Sequence, residues 1–186
     1  MNQIILASSS PRRKELLERE GIDFIIDASY IDEVIDETLS LEDKLIKLAY
    51  DKGLDIHNKY YDDIVISADT TVYCDQEIIG KPKDKEDAKR ILTKLSNNTQ
   101  VVYTSVALFY KDEVITFLES TDIVFKDITS LLEDYLNTNE WQDKAGGYAI
   151  QGYGKNFVES INGDFDNVVG LPVKRVITAI EEIKSK

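Results

Sequence analysis

The sequence predicts a mixed α/β fold, a sheet flanked by helices, arranged as one domain or as two small lobes around a cleft. Three observations carry this. Short apolar runs such as Ile4-Ile5-Leu6 and Ile64-Val65-Ile66 have the length and composition of buried strands. Other segments place apolar residues at i, i+3, i+4 and i+7, the stripe of a core-facing helix. Two long Val-, Thr- and Ile-rich runs, 100–110 and 114–125, meet at a tight turn near Lys111-Asp112 and supply the backbone of the sheet. At 186 residues and 42% hydrophobic content the chain has ample material for a packed core. It shows no internal repeat, low-complexity tract or Pro/Ser-rich linker.

Taken in order, Ile4-Ile5-Leu6 is a strand that runs through Ala7-Ser8-Ser9 into a helix start. Ser10 reads as the N-cap and Pro11 as the first helical residue, since proline has no amide hydrogen to lose and its φ already suits a helix. Gly21 closes that helix. Asp23–Asp27 is a short strand, and 29–38 is an acidic loop holding Asp32, Glu33, Asp36 and Glu37. Ser40 followed by Asp43 is a capping-box-like signal that opens a helix from Leu41 to about Lys59. Its stripe is Leu41, Leu45, Leu48, Ala49 and Ile56, and Lys52 falls on the same side. Either that ammonium faces a ligand or it snorkels from the helix edge.

The strand Ile64–Ala68 delivers Asp69-Thr70-Thr71 at its carboxyl end, where α/β sheets meet their ligands. Val72-Tyr73-Cys74 continues as a strand, and Asp75-Gln76 turns into Glu77-Ile78-Ile79. In Gly80-Lys81-Pro82 the lysine sits in a stiff loop, suited to a phosphate or simply solvated. Asp84 and Asp87 open a helix with Ala88, Ile91, Leu92 and Leu95 as its core face, ended by Asn97-Asn98. Beyond the two long strands, Thr129 or Ser130 caps a helix carrying Leu131, Leu132, Tyr135 and Leu136. Segment 143–154 follows, with Gly146, Gly147, Gly152 and Gly154. It reads as a close backbone approach to a ligand or as a mobile connection, and Gln151 offers both a donor and an acceptor. Phe157–Ile161 is the last strand, Asn162-Gly163 its turn, and Gly170-Leu171-Pro172 starts a terminal helix buried through Val173, Val176, Ile177 and Ile180.

Charge narrows the function. Lys and Arg number 22 against 35 Asp and Glu, a net of −13, so a general nucleic-acid surface is excluded for want of a basic face. Basic clusters therefore stand out. Arg12, Arg13 and Lys14 crowd the first turn of a helix, where the dipole favours acids, at a cost of a few tenths of a kcal/mol or more per charge unless an anion arrives. With three serines and exposed amides they form a phosphate site, or else they are solvated and paired with Glu15, Glu18 and Glu20. A single cysteine, Cys74, excludes an internal disulfide, and with one histidine, His57, no Cys/His zinc set can be built. A hard cation such as Mg²⁺ held by carboxylates stays open. No secretory h-region and no apolar run of about 18 residues is present, which predicts a soluble cytoplasmic protein without a membrane partner.

Together these pieces, with Glu33 and Asp69 as spare acids, suit a polyphosphate held by cations while a metal and an acid activate water. A GxxxxGK[ST] loop and Ser-His-Asp or Cys-His arrangements are absent, so hydrolysis suits the set better than covalent catalysis.

The blocks Leu6-Ala7-Ser8-Ser9-Ser10-Pro11-Arg12-Arg13, Ser67-Ala68-Asp69-Thr70, Gly80-Lys81-Pro82, Val101-Val102-Tyr103-Thr104, Asp143-Lys144-Ala145-Gly146 with Tyr148-Ala149-Ile150-Gln151-Gly152, and Gly170-Leu171-Pro172 resemble, in order and spacing, the Maf nucleotide pyrophosphatases. The resemblance covers nearly the whole chain, 1–186 as a single domain of that family. It implies an elongated mixed sheet with helices on its faces and two lobes around a cleft, similar to the Maf/HAM1 fold and often a homodimer. It implies hydrolysis of a nucleoside triphosphate between the α and β phosphates, with a divalent metal, Mg²⁺ or Mn²⁺. By resemblance Asp69 is the proton acceptor, Ser8, Arg13, Lys52 and Lys81 bind phosphate, and Glu33 stands with Asp69 near the metal. Arg12, Thr70 and Gln151 match the positions of the branch preferring dTTP and UTP, and sometimes modified pyrimidine nucleotides. The competing reading is a non-catalytic nucleotide sensor that regulates cell division or septum formation, which would need the cations but not a poised acid.

Overall fold

The computed structural model of the chain describes residues 2–185. Within them lie β1 (Ile4–Leu6), α1 (Pro11–Arg19), β2 (Ile25–Ile26), α2 (Leu41–His57), β3 (Ile64–Cys74), β4 (Glu77–Ile79), α3 (Lys85–Leu95), β5 (Thr99–Tyr110), β6 (Glu113–Phe125), α4 (Leu132–Asn137), β7 (Val158–Asn162), α5 (Phe165–Val169) and α6 (Val173–Lys184). The strands pair in the order β2-β1-β3-β5-β6-β7, with β4 also on β3. β1 is parallel to both neighbours, Ile5 facing Ile25 on one side and Val65 on the other, whereas β4 and β7 pair antiparallel, so the sheet is mixed as predicted. The chain divides into two compact units, one running up to Asp69 with Thr104–Glu119 and the residues from Gly170 on, the other made of Thr70–Tyr103 and Ser120–Val169.

The first unit is built where α2 lies on the strands. Ile5 and Ala7 from the β1 end, Val65 from β3, Ala107 and Phe109 from β5, and Ala49 and Ile56 from α2 form one buried cluster. Burying each larger side chain is worth about 1.5–3 kcal/mol, which holds the helix against the sheet. Ser40 accepts from the Asp43 amide at 3.2 Å and so caps α2 as expected. Gly53 permits the close approach, since a Cβ there would stand 2.4 Å from both Phe109 Cε2 and Ser67 Oγ. Ser67 Oγ donates to Ala49 O at 2.7 Å and ties helix to strand at the level of Lys52.

In the second unit, α3 buries Ala88, Ile91, Leu92 and Leu95 and is capped by Asp84, which accepts from the Asp87 amide at 2.8 Å. Asp75 and Gln76 take φ of 50° and 65°, the left-handed pair that a two-residue hairpin between β3 and β4 demands. Phe125, Tyr148, Phe157 and Tyr135 pack edge to face, with centroids 4.8–5.7 Å apart.

Four local expectations are corrected. β3 does not end before Asp69 but runs unbroken to Cys74, because Thr70, Thr71 and Val72 are β-branched and keep the ladder going. Ser10 occupies the N-cap position without a side-chain cap bond, and the hydroxyl that serves this turn is that of Ser8. Neither Thr129 nor Ser130 caps α4. Thr129 instead donates through amide and hydroxyl to Asp127 Oδ1 at 2.9 and 2.6 Å, a local turn that satisfies both groups before the helix begins at Leu132. The glycine-rich stretch is ordered into two short 3₁₀ turns, Ala145–Gly147 and Tyr153–Phe157, and α5 has no counterpart in the sequence reading.

Candidate active site

The first unit gathers six of the predicted residues. The Ala7 amide donates to Ile66 O at 2.8 Å, carrying the ladder one residue past β1 and leaving Ser8 buried at the sheet edge. Ser8 Oγ accepts from the Ser10 amide at 3.3 Å and from Arg13 Nη1 at 2.9 Å, while Arg13 Nε donates to Gly170 O at 2.8 Å. Arg13 is thus turned inward and pinned from two sides. Burial works against its charge, with Arg12 adding repulsion, and Asp69 and Glu33 oppose both effects. Arg12 is likewise disfavoured by burial and partly relieved by Glu15. Lys14 points out to an exposed pair with Glu18 at 3.6 Å. The first turn of α1 contains no acid, so the positive helix end is added to the inward guanidinium of Arg13 and the half-buried one of Arg12.

Lys52 extends from α2 to Asp69 Oδ1 at 2.6 Å and to Glu33 Oε1 at 2.7 Å. Its side chain is 16% exposed and that of Asp69 13%, against 54% for Glu33. The lysine on the apolar stripe therefore faces inward, as its helical position allowed. Two carboxylates converge on one cationic point. The Asp69 carbonyl also accepts from Ser105 Oγ at 3.4 Å, a buried residue that the sequence reading did not single out and that no local pattern marked.

The second unit holds Thr70, Lys81 and Gln151. The Gly80 carbonyl accepts from the Gly146 amide at 3.1 Å, and a Cβ on Gly147 would stand 3.0 Å from Pro82 Cγ, so the loop bearing Lys81 is seated on the glycine-rich segment that bears Gln151. Lys81 also lines a hollow of about 260 Å³ with Lys83, Arg90 and Lys94, in which Lys94 is paired with Glu77 and Arg90 with Asp87. Gln151 is exposed at a turn closed by the Gly152 amide on Ala149 O at 3.2 Å. Sequence reasoning missed Glu140, whose carboxylate accepts from the Tyr153 and Gly154 amides at 3.0 and 3.2 Å. An acid beside the buried Trp141 carried no signal in the pattern.

Among the described residues no group of three or more His, Cys, Asp and Glu side chains is placed to hold a metal ion. The oxygens that converge here, Asp69 Oδ1 and Glu33 Oε1, already hold the Lys52 ammonium; the two carboxylates are nevertheless of the kind and number that a hard cation of the Mg²⁺ class takes, with water and substrate phosphates completing its shell. An inward guanidinium and a second, half-buried one near two carboxylates and an ammonium can hold a phosphate chain and leave an oxygen base next to it.

A family model described as Maf-like protein matches residues 3–183. A dTTP/UTP pyrophosphatase of Bacillus anthracis is 43% identical over 183 residues, 98% of this chain and 96% of its own. Proteins of the same name from Bacillus cytotoxicus and Pyrococcus furiosus are 42% and 43% identical, covering 100% and 97% of this chain and 97% and 95% of theirs. Among solved structures, a nucleoside-triphosphatase, dITP/XTP pyrophosphatase, of Mycobacterium abscessus aligns with a TM-score of 0.44 at 16% identity, over 66% of this chain and 74% of that one. No helix of the described residues is long and apolar enough to cross a membrane.

Proposed function

The chain belongs to the Maf-like protein family, and from that premise we propose that it is a nucleoside triphosphate pyrophosphatase acting on dTTP and UTP in the cytoplasm, releasing the monophosphate and pyrophosphate. The relatives that bear this name share 42–43% of their residues with it along its full length, which supports the substrate class. The observation that carries the chemistry is Lys52 at 2.6 Å from Asp69 and 2.7 Å from Glu33.

On this reading Asp69 accepts a proton from the attacking water. The Lys52 ammonium fixes one oxygen of its carboxylate, so Asp69 need not reorganise during the step. Asp69 and Glu33 are also the residues that would hold Mg²⁺ or Mn²⁺, which supplies charge neutralisation to the triphosphate when bound. Arg13, with Ser8 keeping its fork in plane, offsets negative charge on phosphate oxygens. Lys81 is assigned a phosphate contact as well, and Arg12, Thr70 and Gln151 the choice of pyrimidine.

Pyrophosphate release from dTTP, UTP and GTP in the presence of Mg²⁺ or Mn²⁺ tests the proposal. Turnover of the two pyrimidine nucleotides is expected, and Asp69→Asn should lower kcat by about 10²–10⁴-fold, the usual worth of a positioned base, while nucleotide binding persists. Binding without any pyrophosphate would instead mark a nucleotide sensor. Near-normal turnover by a folded Asp69→Asn variant would remove Asp69 from its role.

A further inference from the structure

Discrimination of uracil from cytosine by Gln151 depends on where its backbone is held, and the second unit fixes that. A carboxamide carries a donor and an acceptor on one freely turning bond, so it can pair with a uracil edge and, turned over, with a cytosine edge. An amide that rotates at will reads neither base. A fixed backbone anchor is the first requirement, because a carboxamide whose Cα shifts cannot meet one base edge in register, and exposed turns seldom supply such an anchor.

The turn that bears Gln151 is clamped on both flanks. Before it, the Tyr135 hydroxyl donates to Gly147 O at 3.0 Å and takes part in a backbone hydrogen bond at Ala149. After it, Glu140 accepts the Tyr153 amide on Oε1 at 3.0 Å and the Gly154 amide on Oε2 at 3.2 Å. Between the clamps the Gly152 amide closes the turn on Ala149 O, and Ile150 is buried. Both clamping residues come from one place, α4 and the tight turn after it. There the Glu140 amide donates to Thr138 Oγ1 at 3.1 Å, and the buried Trp141 donates through Nε1 to Leu136 O at 3.1 Å. Gly152 is fitted to this carboxylate, since a Cβ at that position would lie 2.0 Å from Glu140 Oε1 and 2.5 Å from its Cδ.

We infer that Glu140, through the Tyr153 and Gly154 amides and the space left at Gly152, is a positioning residue that holds Gln151 for base discrimination. The inference rests on the reading that Gln151 meets the pyrimidine. A carboxylate is required because both partners are donors; an amide in its place would turn an NH₂ toward one N–H.

The test compares kcat/KM for UTP and CTP, and calorimetric binding of UMP and CMP without metal, in Glu140→Gln, Glu140→Ala, Gly152→Ala and Gln151→Ala, each checked by its melting temperature. Glu140→Ala and Gly152→Ala are expected to lower the UTP/CTP and UMP/CMP ratios by about ten- to a hundredfold, the effect of a displacement near 1 Å, while kcat for UTP changes little. Glu140→Gln, isosteric and able to keep one of the two bonds, should fall between them and the parent. If Gln151→Ala loses the ratio while the Glu140 and Gly152 variants keep it, Glu140 does not position Gln151. A fall for both nucleotides alike marks a purely structural role and overturns the inference too. If Gln151→Ala itself keeps the ratio, base reading by Gln151 fails and the inference falls with it, while pyrophosphate release shows separately whether the enzyme reading stands.

Discussion

Arg13 shows how one side chain links the fold to the proposed chemistry. Its guanidinium spends two donors on Ser8 Oγ and Gly170 O, which leaves the rest of the fork with a fixed orientation. A lysine would retain the charge but could not span both acceptors from one nitrogen in the same geometry. Arg13→Lys should therefore lose about 2 kcal/mol of stability, the worth of one hydrogen bond to a charged group, and raise KM for the nucleotide more than it lowers kcat. Urea denaturation with steady-state kinetics would check this; unchanged stability would mean that the Gly170 contact is dispensable. The sequence exposed the anomaly of three cations in an acid-free first turn, but not its resolution. Arg12, Arg13 and Lys14 project about 100° apart around the helix, so the packing of α1 decides which of them turn in. Arg13 turns in to Ser8, whereas Lys14 pairs with Glu18 at the surface, as the solvated reading has it for that one residue.

At the scale of elements, the placement of Lys52 against Asp69 depends on how closely α2 lies on β3. Glycine inside a helix normally costs about 1 kcal/mol relative to alanine, so Gly53→Ala would ordinarily stabilise. Here the new methyl would meet Phe109 and Ser67 at 2.4 Å, and overpacking of that kind costs about 1–3 kcal/mol. The net change should be destabilising, with an unaltered m-value in urea, and kcat should fall as the helix lifts Lys52 from Asp69. A stabilised, fully active Gly53→Ala would show that the helix has room to move. Much of this was legible: the apolar stripe and the Ser40 cap follow from spacing, which also put Lys52 on the stripe but left open whether it faced inward or snorkelled. The continuation of β3 through Asp69 was not, because Asp at a strand centre reads locally as a strand end and only ladder partners show otherwise. Glu140 and Ser105 were illegible for the same reason, since each acts on backbone groups distant in sequence.

For the molecule as a whole, the alternation of helix-period and strand-like patterns anticipated the mixed sheet. It offered no boundary at Asp69-Thr70, where the chain passes from one compact unit to the other inside a continuous strand. The second unit carries a pH dependence that composition alone would not suggest. Burial is the first cause that pushes the Cys74 thiol and the Tyr135 and Tyr148 phenols above their ordinary values of 9.0 and 10.0, and the Tyr148 hydroxyl has no hydrogen-bond partner among the described residues. These groups are neutral when protonated, so above their unfolded pKa values the folded chain binds more protons than the unfolded one. Their stabilising contribution is fully present below about pH 9 and is lost as pH rises, at about 1.4 kcal/mol per pH unit for each phenol once the unfolded chain ionises. Urea midpoints measured across the alkaline range should stay level to about pH 9 and then fall. Tyrosinate absorbance should show Tyr135 and Tyr148 ionising only with the loss of folded structure, and Tyr148→Phe should flatten the decline by one proton's worth. A midpoint that stays level well above pH 10, with all ten tyrosines titrating in the folded state, would mean that these phenols reach water without unfolding.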